Sequence, residues 1–141
     1  MPDAVAAILG SAFQDALPEQ LNLHPVEVET GWGRQTLHRV TDTDRPAYVL
    51  FRHGLPPRLL PNQINYRAQA AALKEVDCGA LLVTSSVGVL DADVPIYKPL
   101  LVEDLIMLEN RLPDGRACTM FEAPSADHGH LVLHDGLFAT E

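Results

Sequence analysis

Residues Phe51 to Leu90 read FRHGLPPRLLPNQINYRAQAAALKEVDCGALLVTSSVGVL, and this stretch decides the fold class. It opens at the end of an apolar run, Ala47 to Phe51, which is followed at once by Arg52 and His53. Pro56, Pro57 and Pro61 then force a loop over Leu55 to Pro61, because proline fixes φ and lacks a backbone N–H. Asn65 to Glu75 is alanine-rich, sets Ala68, Ala71, Ala72 and Leu73 near one face, and places Asn65 where a helix takes its N-cap. Ala80 to Val83 is wholly apolar, as expected of a strand in a sheet covered on both faces. It runs into Thr84-Ser85-Ser86-Val87-Gly88. Strand, loop, helix and strand in this order predict an α/β sheet, where ligands gather outside the carboxyl ends of the strands. One such end is cationic and the other is rich in hydroxyls and backbone N–H groups. That pair suits an anion, most simply phosphate.

Upstream, Ala4 to Leu9 is a short apolar run that stops at Gly10-Ser11-Ala12. It predicts a buried strand and a tight turn. The turn offers the Ser11 hydroxyl and backbone N–H groups to an anion, although an ordinary turn uses the same residues. His24 to Val28 and Gln35 to Val40 predict two strands joined through Thr30-Gly31-Trp32-Gly33. Asp42 to Pro46 is a second turn cluster, so the N-terminal part is one strand followed by a meander. Arg52 carries the planar fork of donors that phosphate recognition uses, and His53 could add a hydrogen bond or move a proton. In the blander reading Arg52 pairs with a surface carboxylate and His53 caps the strand. Tyr66 and Arg67 could face the core or a neighbouring subunit, and Trp32 suits packing or an interface.

Downstream, Asp91 to Pro99 predicts a loop, and Leu100 to Leu108 an apolar strand interrupted by Glu103 and Asp104. Those two acids could be surface charges or ligands of a substrate hydroxyl. Asn110 to Gly115 reads as a turn, Ala117 to Phe121 is ambiguous, and His130 to His134 predicts a last short strand. His128, His130 and His134 lie near Asp127 and Asp135, and a strand would point His130 and His134 to one face. No cysteine pair or HExxH motif accompanies them, so a solvated turn is expected and no metal. Cys78 and Cys118 are expected to be buried, inert thiols. A single long helix is thin cover for so many apolar strands.

The chain has 141 residues, the length of one domain, and 47% hydrophobic residues, a globular composition. A formal charge of −9 argues against nucleic acid as a partner. No apolar run reaches the roughly 18 residues of a membrane span, and the N-terminus lacks the basic region of a signal peptide. With two isolated cysteines, a reduced, cytoplasmic protein is expected.

RHG at 52–54, INYRA at 64–68 in register with it, LLVTSSVGVL at 81–90, ILGSAF at 8–13 and YKPLLVEDLIM at 97–107 resemble the purine nucleoside phosphorylase and methylthioadenosine phosphorylase family. The resemblance runs over roughly residues 5 to 107; the RHG and INYRA pair is specific, GSAF alone is not. It implies a mixed, largely parallel sheet of the nucleoside-phosphorylase type, in which residues 1–141 form a single domain equivalent to the family's N-terminal, phosphate-binding portion. It implies phosphorolysis of a purine nucleoside or 5′-methylthio-nucleoside to free base and sugar 1-phosphate, with inorganic phosphate as co-substrate and no other cofactor. Ser11, Arg52 and His53 match phosphate-binding positions, and Thr84, Ser85 and Ser86 lie on the turn supplying further phosphate and sugar contacts.

Several residues depart from the family pattern. Ala12 stands where glycine is usual, Pro57 and Asn62 where histidines are common in the methylthioadenosine branch, and Val89 where a small residue follows the glycine. They keep an anion site possible and leave the substrate open. The family's base-recognising and later sugar-binding segments have no clear counterpart, beyond a faint echo over His134 to Glu141. The sheet is therefore expected to be truncated on its C-terminal side and completed by a homo-oligomer or a complementary chain. The alternative is a non-catalytic phosphate- or nucleotide-binding subunit derived from the family.

Overall fold

The strand expected at Ala4–Leu9 forms as β1. A computed structural model describes residues 3–13, 17, 21–106, 108, 111–112, 114–117, 119–121 and 123. These fall into two compact units, Met1–Val87 and Gly88–Glu141. In the first, β2 (Leu23–Val28), β3 (Gln35–Val40), β4 (Ala47–Phe51) and β5 (Cys78–Val83) join β1 in one sheet of order β2-β3-β4-β1-β5. The β2–β3 and β3–β4 pairs are antiparallel, whereas β1 pairs in parallel with both β4 and β5. The sheet is mixed, with β3 alone running against the other strands.

The hairpin register, Val28 opposite Gln35, is set by the turn. The Thr30 hydroxyl donates to the Gly33 carbonyl at 2.6 Å, the Gly33 N–H returns to the Thr30 carbonyl at 3.1 Å, and Gly33 takes φ +116°, a conformation that costs glycine little. Pro25 is tolerated because β2 is an edge strand.

Helix α1, Tyr66–Glu75, lies in the connection between β4 and β5 and buries Ala68, Gln69, Ala72 and Leu73. Ala71, expected on that face, is only half-buried; the stripe instead takes neighbours one, four and five residues from Ala68, as the helical period requires. Ala72 and Leu73 pack with Ala6, Leu37 and Leu50, and Leu37 and Leu50 are fully enclosed. The opposite face of β4 carries Val49 and Phe51, also buried, with the His38 ring meeting Phe51 edge-on at 5.0 Å. Burial lowers the His38 pKa; the Val49 backbone and the Glu27 carboxylate oppose the shift without cancelling it.

The described residues do not form the cover expected over β5: Leu81, Leu82 and Val83 are 48%, 62% and 52% exposed. β5 begins at Cys78, earlier than Ala80, and Cys78 is half-buried on the strand itself. An apolar run reports what a strand can bury, not what lies on it, and β5 is an edge strand with β1 as its one neighbour.

In the second unit, the described part of Leu100–Leu108 forms no strand, contrary to expectation. The Leu105 N–H is instead taken by the adjacent Asp104 carboxylate at 2.8 Å, a local bond that competes with ladder pairing. The loop at 91–99 and the turn near Asp114 are present; Leu112 and Arg116 are joined by a 2.8 Å backbone bond, and Arg111 bridges Ala117. Cys118, the strand expected at His130 to His134 and the histidine cluster lie outside the described residues. No helix of the described chain is long and apolar enough to cross a membrane.

Candidate functional site

Parallel pairing of β1 with β4 and β5 sets three strand ends side by side. Leu9 is level with Phe51, and Ile8 with Val83. Each ladder continues one bond further: Arg52 N–H to the Leu9 carbonyl and Thr84 N–H to the Ile8 carbonyl, both at 3.0 Å. The residues after the strands, 10–13, 52–53 and 84–86, therefore surround one space.

That space is a cavity of about 260 Å³ lined by the turn from Gly10 to Phe13, by Arg52 and His53, and by Thr84, Ser85 and Ser86. All six residues singled out from sequence, Ser11, Arg52, His53, Thr84, Ser85 and Ser86, line it. Among the described lining residues none is a carboxylate and Arg52 is the one arginine or lysine, so its guanidinium is the cationic group there. The alternative of an Arg52–carboxylate pair is not realised among the described residues; the exposed ion pairs there join Arg34 with Glu29, Arg45 with Asp3 and Arg116 with Asp114.

Each wall has its own fixings. Ser11 opens a single 3-10 turn, Ser11–Phe13, closed by the Phe13 N–H on the Gly10 carbonyl at 3.2 Å. Gly10 leaves room for arginine: a Cβ there would lie 3.1 Å from Arg52 Nη2. The buried Gln69 amide of α1 donates to the Arg52 carbonyl at 2.9 Å and fixes the backbone from which the guanidinium projects. His53 Nδ1 sits 2.9 Å from the Leu59 carbonyl in the proline-rich loop. Thr84 Oγ1 donates to the Ile8 carbonyl at 3.1 Å, so its proton is turned toward β1 and away from any anion.

Gln69 and the Leu59 carbonyl escape sequence reasoning. A polar residue on the apolar stripe of α1 is a signal for the first; a backbone carbonyl carries none. Asn65 acts as the expected N-cap, accepting from the Ala68 N–H at 3.1 Å, and its amide also donates to the Trp32 carbonyl at 2.8 Å. Arg67 lies over the Trp32 ring, 4.4 Å from its centroid, so both residues are engaged within the unit. Among the described residues no group of three metal-ligating side chains converges.

Comparison with known proteins gives a consistent likeness. The sequence model of the Phosphorylase superfamily matches residues 4–139. The chain is 34% identical over 134 residues to S-methyl-5′-thioadenosine phosphorylase of Candida albicans, covering 90% of this chain and 37% of that protein. It is 36% identical over 95 residues to a probable S-methyl-5′-thioinosine phosphorylase of Methanopyrus kandleri, covering 67% of this chain and 35% of the relative. Among solved structures, a double-mutant adenosine/methylthioadenosine phosphorylase from Schistosoma mansoni in complex with adenine superposes with a TM-score of 0.55 at 31% identity, over 64% of this chain and 31% of that one. The chain thus spans little more than a third of the length of the curated relatives it matches.

Proposed function

The chain belongs to the phosphorylase superfamily, and from that premise we propose that residues 1–141 are the N-terminal, phosphate-binding part of one phosphorylase-type domain. The reaction it serves is phosphorolysis of a purine nucleoside or 5′-methylthio-nucleoside, with a homo-oligomer or a complementary chain completing the pocket. The observation that carries this reading is the convergence of Ser11, Arg52, His53, Thr84, Ser85 and Ser86 on one cavity at three neighbouring strand ends.

In this reaction a phosphate oxygen bonds to the anomeric carbon as the bond to the base nitrogen breaks. The base leaves with the electron pair and takes up a proton. The transition state resembles an oxocarbenium ion, so the catalyst must hold phosphate against a cationic sugar. Arg52 holds the anion, Ser11, Ser85 and Ser86 orient it, and His53 borders it from the proline-rich loop. Inorganic phosphate is the co-substrate, and no other cofactor enters the reading. Exposed Leu81, Leu82 and Val83 on β5 support an element lying over that strand. The same exposure is compatible with the runner-up, a phosphate- or nucleotide-binding subunit without turnover.

Phosphate-dependent release of free base from methylthioadenosine, inosine and adenosine, with the mass in solution recorded in the same buffer, tests the reading. Arg52→Ala is expected to lower release by about 100-fold or more. Release that is independent of phosphate or unchanged in Arg52→Ala overturns the proposal. Phosphate binding without release, alone and with a supplied C-terminal phosphorylase segment, establishes the runner-up.

A further inference from the structure

The sheet has two edges, and they are built differently. β2 carries Pro25 and the exposed Glu27, a missing donor and a charge that discourage a further strand. β5 has no such guard: Cys78 to Leu90 holds no charged residue and no proline. The Thr84 N–H donates to Ile8 of β1. By the alternation of a strand Leu82 turns toward β1 as well, and Leu81 and Val83 turn their N–H and C=O groups outward. Among the described residues no strand pairs with that edge. Leu81 and Val83 share the face of Ala6 and Ile8, Leu82 shares the face of Ala7, and all three side chains are exposed.

We propose that β5 is the interface with a second copy of this chain, joined edge to edge and antiparallel about a two-fold axis at Leu82. In that register each Leu81 lies opposite the partner's Val83 and exchanges both backbone bonds with it, so the outward groups of both residues are used. Leu82 meets the partner's Leu82 on one face, and Leu81 packs beside the partner's Val83 on the other. Ala80 lies opposite the partner's Thr84. One strand thus supplies both halves of the contact, as a two-fold interface requires. Charge fixes the direction. Each chain carries −9, and the acid that precedes β5 is the exposed Asp77. Parallel pairing in register would set Asp77 against the partner's Asp77; the antiparallel ladder holds them roughly 30 Å apart at about 3.3 Å per residue, well beyond a Debye length at physiological salt. The contact is smaller than the roughly 800 Å² per partner of a standard complex, so a dissociation constant on the order of tens of micromolar is expected. The interface follows from the sheet alone and stands whether or not the cavity binds phosphate.

The test is sedimentation of the full chain from about 1 to 500 µM, a span that brackets such a constant, with hydrogen exchange followed by NMR at both ends of it. The mass is expected to rise from 15.4 kDa to twice that value. The Leu81 and Val83 amides should slow with concentration, and the Leu82 amide, already turned to β1, should change less. Leu82→Lys sets two ammonium groups opposite one another and is expected to weaken the dimer about tenfold or more. Leu82→Cys in a Cys78→Ser/Cys118→Ser background is expected to form an interchain disulfide on oxidation, because opposed residues of a non-hydrogen-bonded pair lie about 4.5 Å apart at Cα. Leu81→Cys, which faces the partner's Val83, is expected to stay reduced. A monomer at every concentration overturns the inference, whether the edge is bare or covered by another segment of the chain. A dimer in which the Leu81 and Val83 amides do not slow lies elsewhere on the surface and overturns it equally. The wild-type mass and exchange decide the matter even if a variant does not fold.

Discussion

Gln69→Leu separates the positioning of Arg52 from the stability of the core. Gln69 is 4% exposed, and its amide donates to the Arg52 carbonyl at 2.9 Å. Leucine fills similar space on α1 but offers no donor, so little cavity opens and the loss is that of one bond to a carbonyl left without it. Such a loss costs about 1–3 kcal/mol. The effect on the site is separate. An arginine–phosphate hydrogen bond is worth about 1.5–3 kcal/mol; if the loosened backbone forfeits half of it, phosphate affinity falls about threefold to tenfold. Leu73→Ala on the same helix supplies the control: it empties core packing away from the cavity at about 2–5 kcal/mol and should leave phosphate affinity unchanged at temperatures where the protein is folded. Urea unfolding followed by circular dichroism gives the first quantity, and calorimetric phosphate titration the second. The reasoning fails if Gln69→Leu leaves affinity untouched, or if Leu73→Ala reduces it as much.

Two further substitutions probe the fold around the site. Asn65→Ala removes both the cap on α1 and the link to the Trp32 carbonyl; a loss of about 2–3 kcal/mol in urea unfolding is expected, above that of a cap alone, and a loss of about 1 kcal/mol or less, a cap's own worth, would show that the link carries no load. His38, whose folded pKa is lowered by burial, binds protons more readily when unfolded. Its contribution is present above the unfolded value of about 6.5 and is lost as pH falls below it. The stability difference between wild type and His38→Gln should therefore shrink between about pH 7.5 and pH 5.5; a difference that grows on acidification contradicts the assigned direction.

Local chemistry made much of this legible. Ala4–Leu9, Gln35–Val40 and Ala47–Phe51 form with the expected limits, because each apolar run is bounded by a turn cluster. The Asn65 cap and α1 were equally readable. The convergence of Ser11, Arg52 and Ser86 rests on a non-local fact, the insertion of β1 between β4 and β5, which no window of sequence contains. The Leu100–Leu108 stretch failed for the complementary reason: strand composition is a property of the segment, but a strand requires a partner. The uncovered state of β5 belongs to the same class, since Leu81, Leu82 and Val83 look alike in sequence whether or not anything lies on them.

The walls of the cavity are unequally held. Arg52 stands on β4, whose last three residues are buried and whose following carbonyl is gripped by Gln69. Ser11 follows β1, which is paired on both sides. Thr84, Ser85 and Ser86 follow β5, which is paired on one side and exposed along most of its length. An edge strand with few buried contacts opens at lower free energy than the core it borders, so the hydroxyl wall is the part of the site whose order is least assured by the unit itself. Under the proposed reading, a second copy or complementary chain lying over β5 would steady that wall and thereby tighten anion binding. Linkage requires the converse, that bound phosphate favours the assembly by the same factor. Solution mass and phosphate affinity are therefore two views of one coupling.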